Sequence, residues 1–560
     1  MKKYVTLFIV HLLLINVLNA QNKITHYTIA YSKYNNGQKI ENQDKIIVDA
    51  HSFFSEISTE SIKNHDANYP YETTYVNTDT NKIEYSAFLD VYKTIYTQDS
   101  TSLKSQKFEL LPETKIILGY TCKKARTSIN SNTIDLWYTN ELGVIGAPNT
   151  LGQKLGLVLE YNRNNTFSII ADKIVKNKPM LIKPVVSKSD EYVDLVTYKD
   201  LIWKSRFKTI EVFKDEIVNF SSESKSNDSI LRFANGTILL KKISFPFIKK
   251  GSSVFAEVKE QSNGDAYDRT GSFFIIPQEK QQSFFDGLQK GVQELPIYTN
   301  ENGKNYQGIV ATNKYEPIIE LIRFFTPFGI QHFNHLELKD KKWFDIVSYR
   351  QDISELKSNL SNKDILVGIF IGNYDKGGHK VSATITIHNE ENNNEINLQA
   401  IPLFCTTNIM EMAGQEYGTL FSSEKGLQMT FKLEKELKNC RLRYIATGHG
   451  GWEQGDEFVP KVNTILLDDK VIAKYTPWRQ DCGSYRLYNP ASGNFPNGLS
   501  SSDYSRANWC PGTATYPVYF ELGNLSAGNH TIQITIPQGR PEGSSFSSWN
   551  ISGVLLGEQE

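Results

Sequence analysis

The sequence predicts an all-β protein in which two eight-stranded antiparallel sandwiches follow a β-rich N-terminal region. In Val381–Ile387 and Thr531–Ile536, apolar and polar residues alternate as they do in half-buried strands, and Ser547–Leu556 has the composition of a further strand. Only short helical stretches interrupt this pattern after residue 209. Many strands with few helices are typical of stacked antiparallel sheets.

The first twenty residues predict export. Lys2 and Lys3 precede the apolar run Val5–Leu18, and the small residue Ala20 follows it. This is the composition of a signal peptide over residues 1–20 that is cleaved near Ala20. No later stretch contains the roughly 20 apolar residues that a membrane span needs. We therefore expect a secreted or periplasmic bacterial protein.

The length of 560 residues suits three domains after the signal peptide. A mixed-charge segment with two prolines, Lys173–Lys208, and the polar run Asn389–Asn397 mark the boundaries. We predict a β-rich accessory domain over residues 21–200, a first sandwich over 209–390 and a second over 395–560.

Charge and motifs exclude several classes of function. Lysine and arginine (61) balance aspartate and glutamate (62), so neither nucleic acid nor a membrane surface is an expected partner. The sequence contains no phosphate-binding loop, nucleophile elbow or zinc helix. His332 and His335 lack further ligands nearby, so we expect no metal and no cofactor. Five cysteines allow two disulfides, and their count leaves the pairing open.

Three polar, glycine-rich tracts are candidate site loops: Asn263–Gly271, Gly448–Glu457 and Asp503–Gly512. The second contains four glycines, which a strand interior does not favour, so we predict a loop there. Carboxylates beside an arginine or a tryptophan indicate a binding or catalytic site rather than a linker. Each tract alone also fits a solvated turn.

Taken together, these tracts resemble the peptide:N-glycosidase F family, over about residues 209–560. Supporting stretches are Ile322–Phe328 and Phe546–Leu556. The resemblance implies two adjacent jelly-roll domains with a cleft between them. It also implies a monomeric amidase that acts on N-glycoproteins and N-glycopeptides, releases the intact glycan as a glycosylamine and leaves aspartate. The N-terminal region has a weaker resemblance to the GLPGLI family, carried by Ile117–Ala125, Leu136–Thr139 and Leu155–Glu160.

The resemblance also assigns roles to single residues. It makes Asp268, Glu457 and Arg506 catalytic, with Asp268 as the main base. It places Arg269, His449 and Trp509 in contact with substrate. Hydrolysis of an amide needs a base for water, a proton for the leaving nitrogen and a charge facing the developing oxyanion, which these residue types supply. Trp452, Trp509 and Tyr374 would offer flat faces to the apolar side of a sugar.

This sequence departs from the family pattern at two places. Gly372 and Tyr374 stand where the family has a glutamate and a tryptophan. The smaller residue predicts tolerance for a bulky innermost sugar, such as one that carries core fucose. Asp456 and Val459 replace a pair of family cysteines. Cys482 and Cys510 correspond to another family disulfide, whereas Cys405 and Cys440 are candidates for a second bridge without a family counterpart.

Two other functions fit parts of the pattern. A glycan-binding protein of the same fold could have lost turnover, as the change at Gly372 allows, but pure binding has no need for Asp268, Glu457 and Arg506 together. A copper-dependent monooxygenase of paired jelly rolls would need grouped histidines in both sandwiches. The second sandwich has only His449 and His530.

Overall fold

The structure is a computed structural model that describes residues 25–177, 191–333, 335, 337–388, 397–451, 454–490, 501–541, 543 and 545–559. The predicted signal peptide lies outside these residues. The chain divides into two compact units at Phe207. Strands dominate both units, which confirms the all-β prediction. Within the described residues, no helix has the length and apolar character that crossing a membrane requires.

The N-terminal unit is built on one sheet of thirteen strands. Its neighbours pair antiparallel except β13 with β7, and the order is β13-β7-β6-β5-β4-β3-β1-β12-β11-β10-β9-β8, with β2 beside β1. The strands are β1 Tyr27–Asn35, β2 Gln38–Lys39, β3 Ile46–Ala50, β4 Phe54–Thr59, β5 Tyr71–Asn77, β6 Lys82–Phe88, β7 Thr94–Asp99, β8 Glu109–Ile117, β9 Tyr120–Ile129, β10 Asn132–Thr139, β11 Leu157–Arg163, β12 Phe167–Lys176 and β13 Glu191–Tyr192.

Among its described residues, this unit has three helices: α1 Glu60–Asn64, α2 Ser102–Ser105 and α3 Leu195–Ser205. Helix α3 begins after Asp194, whose carboxylate accepts hydrogen bonds from the backbone of Val196 and Thr197. Its Tyr198 is buried in a small apolar cluster with Ala87 and Ile95. The helix therefore covers one face of the sheet.

The first sandwich of the second unit has sheets in the orders β14-β24-β17-β22 and β15-β16-β23-β18-β21-β30, where β30 is Ala514–Thr515. Buried aliphatic and aromatic residues from both sheets form its core. The strands that precede β25 in the chain are β14 Phe207–Val218, β15 Leu231–Phe233, β16 Ile238–Ser244, β17 Ser253–Ser262, β18 Thr270–Ile276, β19 Ile297–Thr299, β20 Asn305–Gln307, β21 Ile319–Phe325, β22 Val347–Asp352, β23 Asp364–Ile371 and β24 His379–His388. The helices are α4 Phe284–Lys290, α5 Ile330–Phe333 and α6 Lys357–Leu360.

The second sandwich has two four-stranded sheets, in the orders β25-β33-β27-β31 and β26-β32-β28-β29. Strand β26 alternates buried and exposed residues along its whole length, as a strand with one wet face should. The strands are β25 Leu398–Cys405, β26 Leu427–Leu433, β27 Leu437–Gly450, β28 Asn463–Leu467, β29 Lys470–Tyr475, β30 Ala514–Thr515, β31 Val518–Leu525, β32 Gly528–Thr535 and β33 Ser547–Glu558.

The two sandwiches exchange elements. Strand β30 lies late in the chain, yet it pairs with β21 of the first sandwich, with Phe324 opposite Ala514. In the other direction, Tyr306 of β20 is buried in the core of the second sandwich. Arg323 of β21 forms a fully buried ion pair with Glu320 and also donates a hydrogen bond to the backbone carbonyl of Asn550 in β33. These contacts fix the position of one sandwich against the other.

Candidate active site

Arg506 connects the residues for which the sequence predicts catalysis. Asp268 lies on the loop between β17 and β18, Glu457 follows β27, and Arg506 precedes β30. The guanidinium Nη1 donates to Glu457 Oε1 and, at 3.4 Å, to Asp268 Oδ2. Its Nη2 donates to the carbonyl of Ser501. Arg506 is only 1% exposed, so its charge is directed at the two carboxyl groups with little screening by water.

The environment raises the pKa values of both carboxyl groups. Burial raises the pKa of Glu457 to about 7; the positive charge of Arg506 opposes this rise, and the negative charge of Asp268 adds to it. Burial also raises the pKa of Asp268, against the charges of Arg506 and Arg269. Near neutral pH the pair can therefore hold a proton that ordinary carboxylates would release. Such a pair can take a proton from water and return it to a leaving group.

A buried network of hydrogen-bonded charged side chains stabilises the loop that carries Asp268. Asp265 accepts hydrogen bonds from Nε and Nη2 of Arg269, at 2.6 and 3.0 Å. Its other neighbour is His379, whose Nε2 lies 3.2 Å away and whose Nδ1 contacts Glu260 at 2.8 Å. Hydrogen bonds to the two carboxylates raise the pKa of His379 to about 9 against the effect of burial. Its positive charge at neutral pH therefore stabilises the two buried carboxylates.

Two exposed tyrosines flank Arg269. The rings of Tyr267 and Tyr374 lie 5.2 and 5.6 Å from its guanidinium carbon. They are 59% and 57% exposed, so each has a face available to a ligand. Tyr374 fits its predicted role as a flat surface. Tyr267 is absent from the sequence-based set, although its position directly before Asp268 was a usable signal.

Gly372 lies two residues before Tyr374 in the chain. Its backbone N–H donates to the carbonyl of Thr270 at 3.0 Å, at the end of β23. A Cβ atom at this position would lie 3.0 Å from Cζ of Phe370, which is the far end of a side chain. A larger residue would therefore require the ring of Phe370, which is buried in an apolar cluster, to shift.

The tract Gly448–Glu457 differs from the predicted loop in its first half. Strand β27 continues to Gly450, and Gly448 and His449 pair with Trp549 and Ser548 of β33. The prediction of a loop is wrong there, because Gly448 lets β27 pack closely: a Cβ atom would lie 2.9 Å from Ala507 and from Trp549. Gly450 and Gly451 then turn the chain with φ of +74° each, which favours glycine. Trp452 and Glu453 lie outside the described residues.

Asp456 stabilises the second half of this tract. It is fully buried and accepts hydrogen bonds from the backbone N–H of Gly539 and from Nε1 of Trp549, at 3.0 and 2.8 Å. Lys461 lies 3.5 Å away. Asp456 thus ties the loop that precedes Glu457 to β33 of the second sandwich and to the segment before that strand.

Trp509 does not suit its predicted role as a sugar platform, because it is only 5% exposed. Its ring stacks on Phe325 with centroids 4.5 Å apart, and its Nε1 donates to the carbonyl of Gly448. The guanidinium carbon of Arg506 lies 4.3 Å from the ring centroid. Trp509 therefore stabilises the position of Arg506 by packing against its guanidinium and by cation–π attraction.

His449 is half-buried beside the same rings, with centroids 5.6 Å from Phe325 and 5.4 Å from Trp509. Burial and the charges of Arg323 and Arg506 lower its pKa to about 3. The ring is therefore neutral at physiological pH. It can act as a hydrogen-bond partner for substrate but not as a cation.

The structure contains the Cys482–Cys510 disulfide, with a Cα–Cα distance of 5.1 Å. It closes a loop that includes Arg506 and Trp509. The second candidate bridge is wrong, because Cys405 and Cys440 are both free and buried. They belong to β25 and β27, between which β33 runs. Two strand spacings amount to roughly 10 Å, which is beyond the reach of a disulfide.

Removal of this disulfide should lower the free energy of unfolding by about 3–4 kcal/mol, because the loop between the cysteines no longer restricts the unfolded chain. Urea unfolding of the Cys482→Ala/Cys510→Ala double variant measures the effect. The unaltered protein under reducing conditions is the matched comparison and should lose a similar amount. A loss below about 1 kcal/mol would contradict an entropic role for the bridge.

Replacement of Glu457 by glutamine should change how stability depends on pH. The folded-state pKa, about 7, lies above the ordinary value of 4.5. The folded protein therefore binds this proton more tightly than the unfolded chain, and its stability falls as pH rises from 4.5 through 7. We expect this fall, up to about 3 kcal/mol from this group, to be smaller in Glu457→Gln. Urea titrations of both proteins across this range measure the difference, and parallel curves would contradict the raised pKa.

Paired carboxyls that retain a proton near neutral pH, joined by a buried arginine between two β-sandwiches, are groups that suit a hydrolase of the β-sandwich class. Residues 209–387 match the family model "Peptide-N-glycosidase F, N terminal" and residues 416–556 match "Peptide-N-glycosidase F, C terminal". Residues 29–200 match "N-glycanase peptide, N-terminal domain". The chain belongs to the peptide-N-glycosidase F family, and its enzyme class is peptide-N4-(N-acetyl-β-glucosaminyl)asparagine amidase.

Two solved structures of PNGF-II agree with this assignment. The chain is 54% identical to "Structure of PNGF-II in P21 space group", with 96% of this chain and 100% of that chain covered and a TM-score of 0.83. The same protein in space group C2 is also 54% identical, with 96% and 98% covered and a TM-score of 0.78. PNGase F, titled a glycosylasparaginase from Flavobacterium meningosepticum, is 15% identical over 63% of this chain and 96% of that one, with a TM-score of 0.42. A search of curated proteins gives no match.

The predicted family is thus confirmed, and a glycan binder without turnover is not favoured. The match at residues 29–200 links the N-terminal region to N-glycanases as well, a link that the sequence analysis does not make. The resemblance of that region to the GLPGLI family stays a prediction.

Proposed function

We propose that this protein hydrolyses the asparagine side-chain amide of N-glycoproteins and N-glycopeptides, releases the intact N-glycan as a glycosylamine and leaves aspartate in the peptide. The observation that supports this proposal most directly is the position of Arg506 Nη1, within hydrogen-bonding distance of both Asp268 and Glu457. The two PNGF-II structures are similar over nearly the whole chain.

In the proposed mechanism Asp268 is the main base. It accepts a proton from a water molecule as the water oxygen attacks the amide carbon. The amide oxygen becomes negative in the tetrahedral intermediate, and the positive potential around Arg506 favours that state. The C–N bond then breaks, and the leaving nitrogen takes a proton from the coupled pair of Asp268 and Glu457. The pKa of Glu457, about 7, allows it to give and regain a proton at neutral pH.

Substrate contacts in this proposal come from Tyr267, Tyr374 and His449. The exposed tyrosine faces would pack on the apolar side of a sugar ring. The guanidinium of Arg269, which both rings flank, would fix the distance between the two rings. His449 would contribute a polar contact. Trp452 stays a predicted contact. Absence of a side chain at Gly372 would leave room near the innermost sugar and permit core fucose.

The remaining parts of the proposal concern organisation. We propose export through a signal peptide over residues 1–20 that is cleaved near Ala20, and action as a monomer. The accessory domain would occupy residues 21–200, and the two jelly-roll domains would occupy 209–390 and 395–560. No nucleic acid, membrane or cofactor takes part.

Incubation of the purified protein with a denatured N-glycopeptide tests the reaction. Mass spectrometry should show asparagine converted to aspartate, and in H₂¹⁸O the new carboxylate should carry the heavy isotope. The free glycan should retain both core N-acetylglucosamines. A peptide that keeps one N-acetylglucosamine would indicate cleavage within the glycan and overturn the proposal, as would an intact glycopeptide after long incubation.

Gly372→Glu tests tolerance for core fucose. The added side chain should lower kcat/KM for a core-fucosylated glycopeptide by about 10-fold or more, because it fills the space that fucose would need. The matched glycopeptide without fucose should change by less than about 3-fold. Gly372→Ala is the control for the backbone, since it adds only the Cβ atom. Equal losses on both substrates would contradict a role in selectivity.

A further inference from the structure

Arg323 of β21 has no free hydrogen-bond donor. Its Nε donates to Glu320 Oε1, and its Nη2 donates to Glu320 Oε2 and Thr407 Oγ1. Its Nη1 donates to the carbonyl of Asn550 at 2.6 Å and to Thr447 Oγ1 at 3.2 Å. All five N–H groups of the guanidinium are thereby used, and the side chain is fully buried. The contact with Thr447 is therefore fixed in both position and direction.

The direction of that contact determines what the hydroxyl group of Thr447 can do. Its oxygen accepts from Arg323, which can only donate, and its own proton still needs an acceptor. Among the described residues, the remaining partner of Thr447 Oγ1 is His449 Nε2, at 2.8 Å. Thr447 and His449 lie two residues apart on β27, so their side chains share one face of the strand. A proton on Nε2 would leave a buried hydroxyl donor without an acceptor.

We propose that Thr447 is a positioning residue that holds His449 as the neutral tautomer with its proton on Nδ1. The Nδ1–H group then remains as a donor for an oxygen atom of the glycopeptide. Nε2 could not donate to that oxygen, because in this orientation it faces Thr447. This step rests on the proposed function. Within the described part of the chain, Nδ1 forms no hydrogen bond with a protein group, and the ring is half-buried rather than enclosed.

Neighbouring charges agree with a neutral ring. Arg323 reaches Thr447 from the first sandwich, and Arg506 lies against Trp509, which packs beside His449. Both cations disfavour a second proton on the imidazole, and together with burial they lower its pKa to about 3. Glu320, which could offset this effect, is bound to Arg323. The tautomer should therefore persist across the neutral range.

Nitrogen-15 NMR of the histidine side chains in the full chain tests the proposal, with His449→Gln used to assign the signal. The unaltered protein should show a protonated Nδ1 and an unprotonated Nε2 at His449. Thr447→Val keeps the side-chain shape but removes the donor, so the proton should move to Nε2. Thr447→Ser restores the hydroxyl and should restore the Nδ1–H signature. A protonated Nε2 in the unaltered protein, or Nδ1–H retained in Thr447→Val, would overturn the proposal.

Kinetics supply the second readout. Loss of one hydrogen bond to substrate should lower kcat/KM of Thr447→Val by about 10-fold, whereas Thr447→Ser should stay within about 3-fold of the unaltered protein. An equal loss in both variants would contradict a role for the hydroxyl group. Detection of the Nδ1–H tautomer in a protein without amidase activity would support the positioning role and contradict the proposed function, so the two can fail separately.

Discussion

Replacement of Asp268 by asparagine is expected to lower kcat by about 10³-fold or more. The variant keeps the size of the side chain and removes the carboxylate that we propose accepts the proton of water. The loop itself should stay in place, because Asp265 rather than Asp268 anchors it through Arg269 and His379. The rate of glycan release from a denatured glycopeptide, followed by mass spectrometry, measures the effect. KM should change little, since Asp268 acts on water rather than on the sugar.

Asp228→Asn is a suitable control for this variant, because Asp228 is an exposed aspartate on the segment between β14 and β15 of the same sandwich. A second readout separates catalysis from damage to the fold. The negative charge of Asp268 helps to raise the pKa of Glu457. A carbon-13 NMR titration of the glutamate carboxyls should therefore show a lower pKa for Glu457 in Asp268→Asn. A variant that retains more than about a tenth of the activity would exclude Asp268 as the main base.

Replacement of Arg506 by lysine should lower kcat by about 10²–10³-fold although the charge is kept. The planar guanidinium contacts Glu457, Asp268 and the carbonyl of Ser501 at once, which one ammonium on a shorter stem cannot do. Trp509 also loses the flat cation that packs against it. The same glycopeptide assay measures the loss, and Arg350→Lys, at an exposed position of β22, is the control. Near-normal activity would show that charge alone suffices.

Arg506→Met separates the electrostatic contribution from the geometric one. Removal of the positive charge leaves two partly desolvated carboxyls without their shared counter-ion, so the pKa values of both Asp268 and Glu457 should rise further. The midpoint of the pH–rate profile should move upward with them. A profile that keeps its midpoint while the rate falls would indicate that Arg506 acts by orientation alone.

The alternation of apolar and polar residues in the sequence was sufficient to predict many of the strands. The alternation in Val381–Ile387 and Thr531–Ile536 lies in β24 and β32, whose burial alternates in the same way. Local pattern does not specify which distant strands become neighbours. The pairing of β30 with β21 depends on residues about 190 positions apart, and no property of Ala514–Thr515 indicates it.

In the site, too, some features could be predicted from the sequence and others depend on contacts between distant residues. Resemblance to the family selected Asp268, Glu457 and Arg506, which the structure brings together. Burial was the missing information for Trp509, because a tryptophan beside an arginine suits an open platform as well as a packed support. The glycines of Gly448–Gly450 predict a loop rather than a strand, yet close packing against Ala507 and Trp549 is another reason for glycine in a strand. The chain from Glu260 through His379 to Asp265 spans 119 residues and is invisible to any local motif.

The reciprocal exchange between the sandwiches limits how this enzyme can be taken apart. A fragment that ends at residue 388 would lack β30, the edge partner of β21, and a fragment that begins at 397 would lose Tyr306 from its interior. Each half alone would expose an unpaired strand edge or an apolar cavity, both of which promote aggregation. Heat or urea should therefore melt the two sandwiches in a single cooperative step. A chimera that takes one sandwich from a relative in order to change sugar preference would lose the same contacts and should not fold. The loops are therefore the part of the scaffold that can vary.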